Sequence, residues 1–223
     1  MCGRYGVALT ADELSELFEG AEVPEGYLPR YNIAPTQEAL VARGSATGAR
    51  LDWARWGLIP PGEDSRRAGA RHINARSETA ASRWPFRNAL AHRRCLVPAS
   101  GFYEWRRGPG GKVPYWIHGA RPLTFAGIWE RPPEGLPPSF AILTRAAPPE
   151  LAHIHDRVPV LVPEPLRSVW LDKNTSSSEL EAVVQGASAR LEAHPVSVRV
   201  NRVEEDSPDL IRVVDEPLEL PLE

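Results

Sequence analysis

The chain has 223 residues, enough for one large domain or two small ones, and its composition of 42% hydrophobic and 25% charged residues is ordinary for a globular protein. No apolar run approaches the ~20 residues of a membrane span, and the polar N-terminus does not resemble a signal peptide, so we expect a cytoplasmic protein without membrane contact. Two cysteines, Cys2 and Cys95, are too few for a disulfide framework or a cysteine-rich zinc site, which predicts a reduced compartment.

The net charge of −3 hides an uneven distribution along the chain. Residues 30–107 carry fourteen arginines, no lysine and six acidic residues, whereas eight acidic residues and two arginines follow residue 200. Since a guanidinium group matches two phosphate oxygens, the arginine-only segment is compatible with contacts to a nucleic-acid backbone. A coding bias from lysine to arginine, in a chain with only two lysines, explains the pattern equally well.

The N-terminal half predicts short strands around one helix. Residues 4–9 form the first strand, so Cys2 precedes a strand start. The capping box from Thr10 to Glu13 then begins a helix with Leu14, Leu17 and Phe18 at helical spacing. Residues 38–43 and 50–57 alternate as two strands around a turn rich in glycine and serine.

The C-terminal half predicts a β-rich core with short helices and a packed tail. The predicted strands are residues 95–97, 101–106, 115–118, 123–129, 139–144 and 196–200. The predicted helices are residues 148–153, 165–171 and 178–185, the last with a capping box at Ser176 and Glu179. We therefore expect an α+β fold in one compact domain, residues 1–223, whose barrel-like antiparallel core is flanked by short helices. Residues 201–223 form an acidic extension, which the apolar Leu210, Ile211, Val213 and Val214 predict to be packed on that core.

The first four residues carry the most distinctive chemistry in the chain. Removal of Met1, which a small residue at position 2 permits, would leave an α-amine and a thiol on Cys2. Both groups have pKa values of about 8 in the absence of perturbation, so both are partly nucleophilic near neutral pH. An amine condenses with an aldehyde to an imine, and the neighbouring thiol closes on it as a thiazolidine. The alternative is that Cys2 belongs to a frayed terminus.

Five further stretches are richer in polar and aromatic residues than packing requires. They are YNIAPTQ (31–37), RWGLIP (55–60), HINARSET (72–79), GFYEW (101–105) and HDRVP (155–159). Taken singly, each is weak, because an asparagine often sits in a turn, a tryptophan in a core and a histidine on a surface. In this order, and with the terminal CGRY, they resemble the SRAP (SOS response-associated peptidase) family over nearly the whole chain.

The resemblance implies a single α+β domain whose positively charged cleft binds single-stranded DNA and whose terminal cysteine crosslinks to abasic sites. It assigns Cys2 as the nucleophile, with Asn74, Glu104 and His155 as the other catalytic residues. The residues that it implies for DNA binding are Arg4, Asn32, Pro35, Trp56, Gly57, Arg76, Trp105 and Arg157. No cofactor or metal is expected. The expected partners are single-stranded DNA with abasic sites and the replication machinery, bound by a monomer that joins the nucleoid at damaged DNA.

Elementary chemistry gives these side chains compatible roles. Glu104 lies between aromatic residues that would raise its pKa, which suits a general acid at the sugar ring oxygen. His155 titrates near neutrality, and the Asn74 carbonyl would orient the α-amine. We expect Trp56 to stack on bases. Arg76 and Arg157 would clamp phosphates with little base specificity and strong salt dependence.

Cys95 lies in an apolar strand and is interpreted as a buried structural residue. His153 and His155 lack a third metal ligand. Two other functions remain open. One is a thiol peptidase that uses Cys2, with possible self-processing. The other is a non-covalent reader of modified or single-stranded DNA, in which Cys2 has no chemical role.

Overall fold

One mixed sheet of ten strands organises the computed structural model, which describes residues 2–46, 48–63, 66–108, 110–131, 134–186 and 190–215. The strands are β1 (Tyr5–Val7), β2 (Arg30–Ile33), β3 (Glu38–Ser45), β4 (Gly48–Trp56), β5 (Asn74–Arg76), β6 (Arg94–Gly108), β7 (Gly111–Glu130), β8 (Ser139–Ala146), β9 (Arg157–Pro159) and β10 (Leu191–Pro195). The helices are α1 (Ala11–Leu17), α2 (Arg66–Gly69), α3 (Ser77–Ala80), α4 (Arg87–His92), α5 (Arg167–Leu171) and α6 (Ser177–Gln185). Short 3₁₀ turns span Glu164–Leu166, Val198–Asn201 and Pro208–Ile211.

The long strands β6 and β7 form an antiparallel hairpin within the sheet. These strands pair from Arg94 with Ile128 to Gly108 with Gly111. Neighbouring strands follow in the order β7, β8, β4, β3 and β6, so the β6–β7 pairing closes these five strands into a ring. The main hydrophobic core takes large side chains from this ring, including Phe102, Phe125 and Phe140.

Three short strands bring chain segments to this ring. β1 pairs antiparallel with β6, where Tyr5 lies opposite Phe102, and with β2, where Tyr5 lies opposite Ile33. β5 pairs parallel with β8 from Asn74 opposite Ile142, and β9 pairs antiparallel with β8. Cys2, Asn74 and the turn before β9 are thus all carried by segments that flank the long strands.

The α+β prediction of one compact domain with a large sheet and short helices is confirmed. Most strand pairs are antiparallel as predicted, but β4–β8 and β5–β8 are parallel, so the sheet is mixed. Both capping boxes are present: the side chain of Thr10 accepts from Glu13 N–H, and that of Ser176 from Glu179 N–H. Within the described ranges, no helix combines the length and apolarity needed to cross a membrane.

Two predicted elements are wrong. Residues 148–153 form turns and not a helix: the N–H groups of Leu151 and Ala152 donate to Pro148 O, and this turn is not continued because the chain turns back into β9. The late strand is β10, whereas Val198–Asn201 forms a 3₁₀ turn because the Ser197 side chain accepts from Arg199 N–H and caps it. The sequence also predicts four shorter strands in place of β6 and β7. In the structure these two strands are continuous, with an irregular register between Ala99 and Gly101.

A second, smaller core forms where the C-terminal part of the chain covers the sheet. Tyr103 and Trp116 contribute their rings to it, and Val196, Val200 and Leu210 pack against them. Leu210 is fully buried, as the predicted packing of the extension requires, whereas Val213 is 67% exposed. Residues 216–223 of the predicted extension lie outside the described residues.

Candidate active site

Cys2 lies three residues before β1, and its side chain is fully buried. The thiol donates a weak hydrogen bond to the carbonyl oxygen of Arg4, with 3.9 Å between sulfur and oxygen. Burial raises the pKa of the thiol, and the negative charge of Glu104 raises it further. The thiol is therefore protonated at neutral pH, which corrects the prediction of a partly ionised thiol.

β5 places Asn74 directly against Cys2. The Nδ2 group of Asn74 donates a hydrogen bond to the carbonyl oxygen of Cys2 at 2.7 Å. The sequence predicts a contact through the Asn74 carbonyl to the α-amine, so the atoms of the contact differ from the prediction. The Oδ1 atom of Asn74 is buried without a hydrogen-bond partner, which leaves a hydrogen-bond acceptor unused beside Cys2.

Glu104 faces inward from the middle of β6 and is 2% exposed. Alternation along the strand turns Tyr103 into the second core and Glu104 to the opposite face, towards Cys2. Burial raises the pKa of the Glu104 carboxyl to about 7, in agreement with the raised value that the sequence predicts. A carboxyl with that pKa is present in both forms at neutral pH and can donate or accept a proton.

His155 stands beside Glu104 at the start of the HDRVP motif. Its Nε2 atom lies 3.9 Å from Oε2 of Glu104, and its Nδ1 atom accepts a hydrogen bond from Arg157 N–H at 2.9 Å. That bond favours the tautomer with the proton on Nε2, facing the carboxyl. Burial lowers the pKa of His155. The exposed carboxylate of Asp156, 2.9 Å from Nδ1, can pair only with the protonated ring.

Arg157 forms a bidentate ion pair at the border of this site. Its two Nη atoms donate to the two carboxylate oxygens of Glu78 at 2.7 and 2.9 Å. These bonds lower the pKa of the Glu78 carboxyl to about 2. Arg157 therefore already holds an oxyanion in the geometry that a phosphate group would require, and a phosphate must compete with Glu78 for it.

Asn32 belongs to a buried network, and its predicted contact with DNA stays a prediction. The side chain is fully buried, and its Oδ1 atom accepts from Nη1 of Arg4 at 2.8 Å. Arg4 is half-buried, and the same Nη1 atom donates to Val200 O. The Nδ2 group of Asn32 donates to three backbone carbonyl oxygens, those of Val200, Arg202 and Glu205. Asn32 thus fastens the C-terminal chain, and Arg4 takes part in the same network.

Trp56 packs in the core of this structure, and its predicted stacking on bases stays a prediction. Its ring is fully buried, lies 5.1 Å from the Tyr5 ring between centroids and stacks on Phe140. Its Nε1–H group donates to Ile73 O at 2.8 Å. The next residue, Gly57, is also buried, with a φ of +129°, and a Cβ atom there would lie 2.7 Å from Gly69 O. Gly57 is required for this close approach of the backbone, and its predicted contact with DNA stays a prediction.

Comparison with known proteins identifies the family of this chain. The family model for "SOS response associated peptidase (SRAP)" matches residues 1–203. The chain belongs to the SRAP family. Abasic site processing protein YoqW of Bacillus subtilis is 38% identical over 95% of this chain and 99% of its own length, and the protein YedK of Escherichia coli, described by the same words, is 33% identical over 96% and 100%. HMCES of Gallus gallus, also named an abasic site processing protein, is 30% identical over 95% of this chain and 77% of its own length.

Solved structures show the same SRAP fold. A protein from Bacteroides thetaiotaomicron superposes with a TM-score of 0.84 at 20% identity, covering 96% of this chain and 100% of its own. A protein from Bordetella bronchiseptica superposes with a TM-score of 0.75 at 28% identity, covering 88% and 100%. These proteins therefore share the overall fold of this chain.

Three other residues predicted to contact DNA are at least partly accessible to solvent. Arg76 is exposed, while Pro35 and Trp105 are half-buried. The Nε1–H group of Trp105 donates to Oδ1 of Asn201 at 2.9 Å. The roles of these three residues in DNA binding stay predictions.

Sequence reasoning missed Trp84, in the turn between α3 and α4. Its side chain is 54% exposed, and both Arg83 and Arg87 beside it are exposed. A large exposed aromatic side chain between two cations has the composition of a base-stacking site. The available signal was a tryptophan inside the arginine-only segment, but its exposure depends on the tertiary structure.

Proposed function

We propose that this SRAP protein captures abasic sites in single-stranded DNA through Cys2, after removal of Met1. The substrate class comes from the relatives, which are named abasic site processing proteins. The observation that carries the proposal is the contact set around Cys2: Asn74 holds its carbonyl oxygen, and Glu104, with a pKa of about 7, acts on its thiol. Met1 itself lies outside the described residues.

Capture begins with opening of the abasic sugar. The sugar is mostly a closed hemiacetal, and only the open form presents an aldehyde at C1′. Protonated Glu104 donates to the ring oxygen while the C1′ hydroxyl loses its proton, which gives the aldehyde and a free C4′ hydroxyl. Burial supplies the required property, because it keeps a substantial fraction of this carboxyl protonated at neutral pH.

The α-amine of Cys2 then attacks the aldehyde carbon. A bond forms between nitrogen and C1′, and loss of one water molecule gives the imine. The unpartnered Oδ1 atom of Asn74 is an acceptor for an amine N–H in this step, while its Nδ2 group holds the carbonyl oxygen of the same residue. Asn74 thereby fixes the direction of the amine without adding a charge.

The thiol closes the ring in the last step. Because the pKa of the Cys2 thiol is raised, the thiol enters this step protonated and the amine reacts first. A bond forms between sulfur and C1′, the thiol proton passes to the Glu104 carboxylate, and the imine nitrogen receives a proton. The product is a thiazolidine, and the overall reaction releases only water. His155, 3.9 Å from Glu104, is positioned to exchange that proton with solvent.

The DNA strand binds through phosphates and one ring face in this proposal. Arg76 is exposed at the end of β5, and Arg157 exchanges the Glu78 carboxylate for a phosphate. Trp84 takes the stacking role that the sequence assigned to Trp56, with Arg83 and Arg87 beside it. These contacts ignore base identity, so we expect weak sequence preference and a strong dependence on salt. The protein is expected to act in the compartment that holds the DNA.

The proposal is tested by incubating the protein, with Met1 removal verified by mass, with a single-stranded oligonucleotide that carries one abasic site. We expect an adduct that survives heat and SDS without borohydride. Cys2→Ala should abolish it, and Cys2→Ser should leave at most a reducible imine. Cys95→Ala, the matched control at the other buried cysteine, should retain it. Absence of any adduct with the wild-type protein would contradict the proposal.

The contacts of the thiol distinguish this reaction from a thiol peptidase. In a peptidase with a Cys–His pair the imidazole contacts the thiol, whereas the Cys2 thiol donates to the Arg4 carbonyl oxygen and the His155 ring lies beside Glu104. A purely non-covalent reader would bind the abasic strand equally well in the Cys2→Ala variant and form no adduct. The same experiment therefore separates the three functions.

A further inference from the structure

A second cavity, of about 740 Å³, opens at the far end of the β3–β4 hairpin. Its walls come from that hairpin, the end of α1, Trp129 of β7 and the end of α5. Arg50 lines it, and Trp56, which packs against Tyr5 near Cys2, lies six residues further along β4. At ~3.4 Å per residue these positions are roughly 20 Å apart, so the cavity is separate from the Cys2 site.

Positive charge is concentrated around this cavity. Five lining residues are cationic, against the acidic Glu19 and Asp172; the cations are Arg43, Arg50, Arg94, Arg167 and Lys173. The two guanidinium groups of Arg43 and Arg50 share one carboxylate, Asp52, at 2.6 and 2.9 Å. One positive charge in that group is therefore not neutralised by a carboxylate.

Two of the cations are held in place without a carboxylate. Arg94 is 5% exposed, and all its hydrogen bonds go to backbone carbonyl oxygens at the ends of α4 and α5. Arg167 donates from Nη1 to Leu17 O, while its Nε atom is buried without a hydrogen-bond partner. Burial lowers the pKa of both guanidinium groups, and the nearby carboxylates, Asp172 for Arg94 and Glu164 and Glu19 for Arg167, offset only part of that shift. An anionic group in the cavity would add to this counter-charge.

The cavity also has an aromatic and apolar wall. The Trp129 ring lies beneath the guanidinium carbon of Arg43, 4.3 Å from the ring centroid. Phe18, Leu96 and Leu171 complete this wall. A ligand that matches both halves of the cavity needs a planar apolar ring and an oxyanion, and a volume of this size admits one nucleotide.

We infer that this cavity binds a nucleotide unit, with its phosphate among Arg50, Arg167 and Lys173 and its base against the wall formed by Trp129, Phe18, Leu96 and Leu171. The same chemistry has two sources. One is a free nucleoside monophosphate, and the other is a nucleotide of a DNA strand that also reaches the Cys2 site. The inference does not depend on chemistry at Cys2, so it stands or falls separately from the proposed function.

The test is isothermal titration calorimetry of the full-length protein with deoxyadenosine 5′-monophosphate. Saturable binding is expected, at least about tenfold weaker in the double variant Arg50→Glu with Lys173→Glu, because two exposed charges are reversed at the phosphate. Both side chains are exposed, so an unchanged melting temperature is expected. Arg121→Glu, which reverses one charge at an exposed arginine of β7 outside the cavity, and Cys2→Ala should bind like the wild type.

Three further titrations test which part of the nucleotide the cavity binds and where that nucleotide comes from. Deoxyadenosine without phosphate and inorganic phosphate alone should each bind more weakly than the nucleotide. Equal binding of inorganic phosphate would overturn the nucleotide assignment, as would absence of saturable binding or equal affinity of the double variant. A ten-residue oligothymidylate separates the two sources: weaker oligonucleotide binding by the double variant supports the strand, and unchanged binding supports the free nucleotide.

Discussion

Two asparagines from two motifs differ sharply in how their side chains are used. Asn32 is fully buried and engages both ends of its amide, accepting from Arg4 and donating to three backbone carbonyl oxygens. Asn74 donates once, to Cys2 O, and its own carbonyl oxygen is buried without a partner. The residue type is the same, but only one of the two sites leaves hydrogen-bonding capacity unused.

The paired Asn32 side chain stabilises the fold, whereas the partly unpaired Asn74 side chain lies beside the proposed nucleophile. A buried acceptor without a partner costs free energy of folding, so the Asn32 amide, whose oxygen and nitrogen are both paired, is the stabilising arrangement. Around Cys2 the opposite holds, because the Tyr5 hydroxyl and Asn74 Oδ1 lack partners and the Glu104 carboxyl is desolvated. Unpaired and desolvated polar groups of this kind are expected at a site where a bound substrate supplies their partners.

The largest expected effect is the loss of the acid at the Cys2 site. Glu104→Gln should slow adduct formation by about 10²–10⁴-fold, since the amide cannot transfer a proton. The wild-type rate should fall as pH rises above about 7, because the protonated carboxyl is lost there, and the variant should lack this step. Rates from quenched gel assays between pH 5.5 and 9 measure both.

Glu130→Gln is the matched control, since Glu130 is also a buried carboxyl in a long strand but pairs with Arg93. This variant should react at the wild-type rate and retain the pH profile. Equal rates for the two glutamine variants would remove Glu104 from the reaction.

Substitution by alanine should mainly affect stability at Asn32 and mainly affect the reaction rate at Asn74. Asn32→Ala should lower the free energy of unfolding by about 2–4 kcal/mol, because several buried partners lose their hydrogen bonds. Asn74→Ala should cost about 1 kcal/mol or less, since one bond is lost and one unpaired acceptor is removed, but it should slow the reaction. Urea unfolding and adduct rates, measured on both variants, check the prediction. A greater loss of stability in Asn74→Ala would reverse the assignment.

A smaller effect is expected at the tryptophans. Trp84→Ala should weaken binding to an intact single-stranded oligonucleotide by about 1–3 kcal/mol, the range for loss of one stacked base, and Trp84→Phe should restore most of it. Fluorescence anisotropy at low salt measures the affinity. Trp53, 36% exposed on β4, serves as the control for loss of a surface tryptophan. If Trp53→Ala and Trp84→Ala weaken binding equally, Trp84 has no specific role.

The smallest effect is expected at the ion pair between Glu78 and Arg157. Glu78→Gln should tighten binding of the same oligonucleotide by about two- to fivefold, because Arg157 then faces no competing carboxylate, while its side chain, only 13% exposed, offers a phosphate little surface. Since the pKa of Glu78 is about 2, the wild-type protein should show no corresponding change between pH 5 and 8. Weaker binding by the variant would show that Glu78 orients Arg157 and does not compete with DNA.

The sequence predicted local features well where short-range chemistry determines them. The capping boxes at Thr10 and Ser176 needed only neighbouring residues. The raised pKa of Glu104 was also predicted, but its cause is burial in the folded protein, since Tyr103 and Trp105 belong to the second core. The motif residues near Cys2 came from the family resemblance. Asn74 lies against Cys2, and the Glu104 charge acts on its thiol.

Features that depend on distant contacts were not predictable. Whether Trp56 or Trp84 is exposed depends on the packing of Tyr5 and Phe140 around Trp56, which no local pattern encodes. The buried role of Asn32 depends on carbonyl oxygens about 170 residues away in the chain. The raised pKa of the Cys2 thiol likewise follows from tertiary burial.

The most direct test of the central claim is the intact mass of the adduct between the processed protein and an oligonucleotide with one abasic site. The expected mass of the thiazolidine adduct is that of the protein without Met1 plus that of the DNA, less one water molecule. We also expect that neither borohydride treatment nor thiol alkylation changes this mass, because both nitrogen and sulfur are bonded to C1′. An adduct that borohydride reduces, or whose cysteine still reacts with an alkylating agent, would contradict the claim.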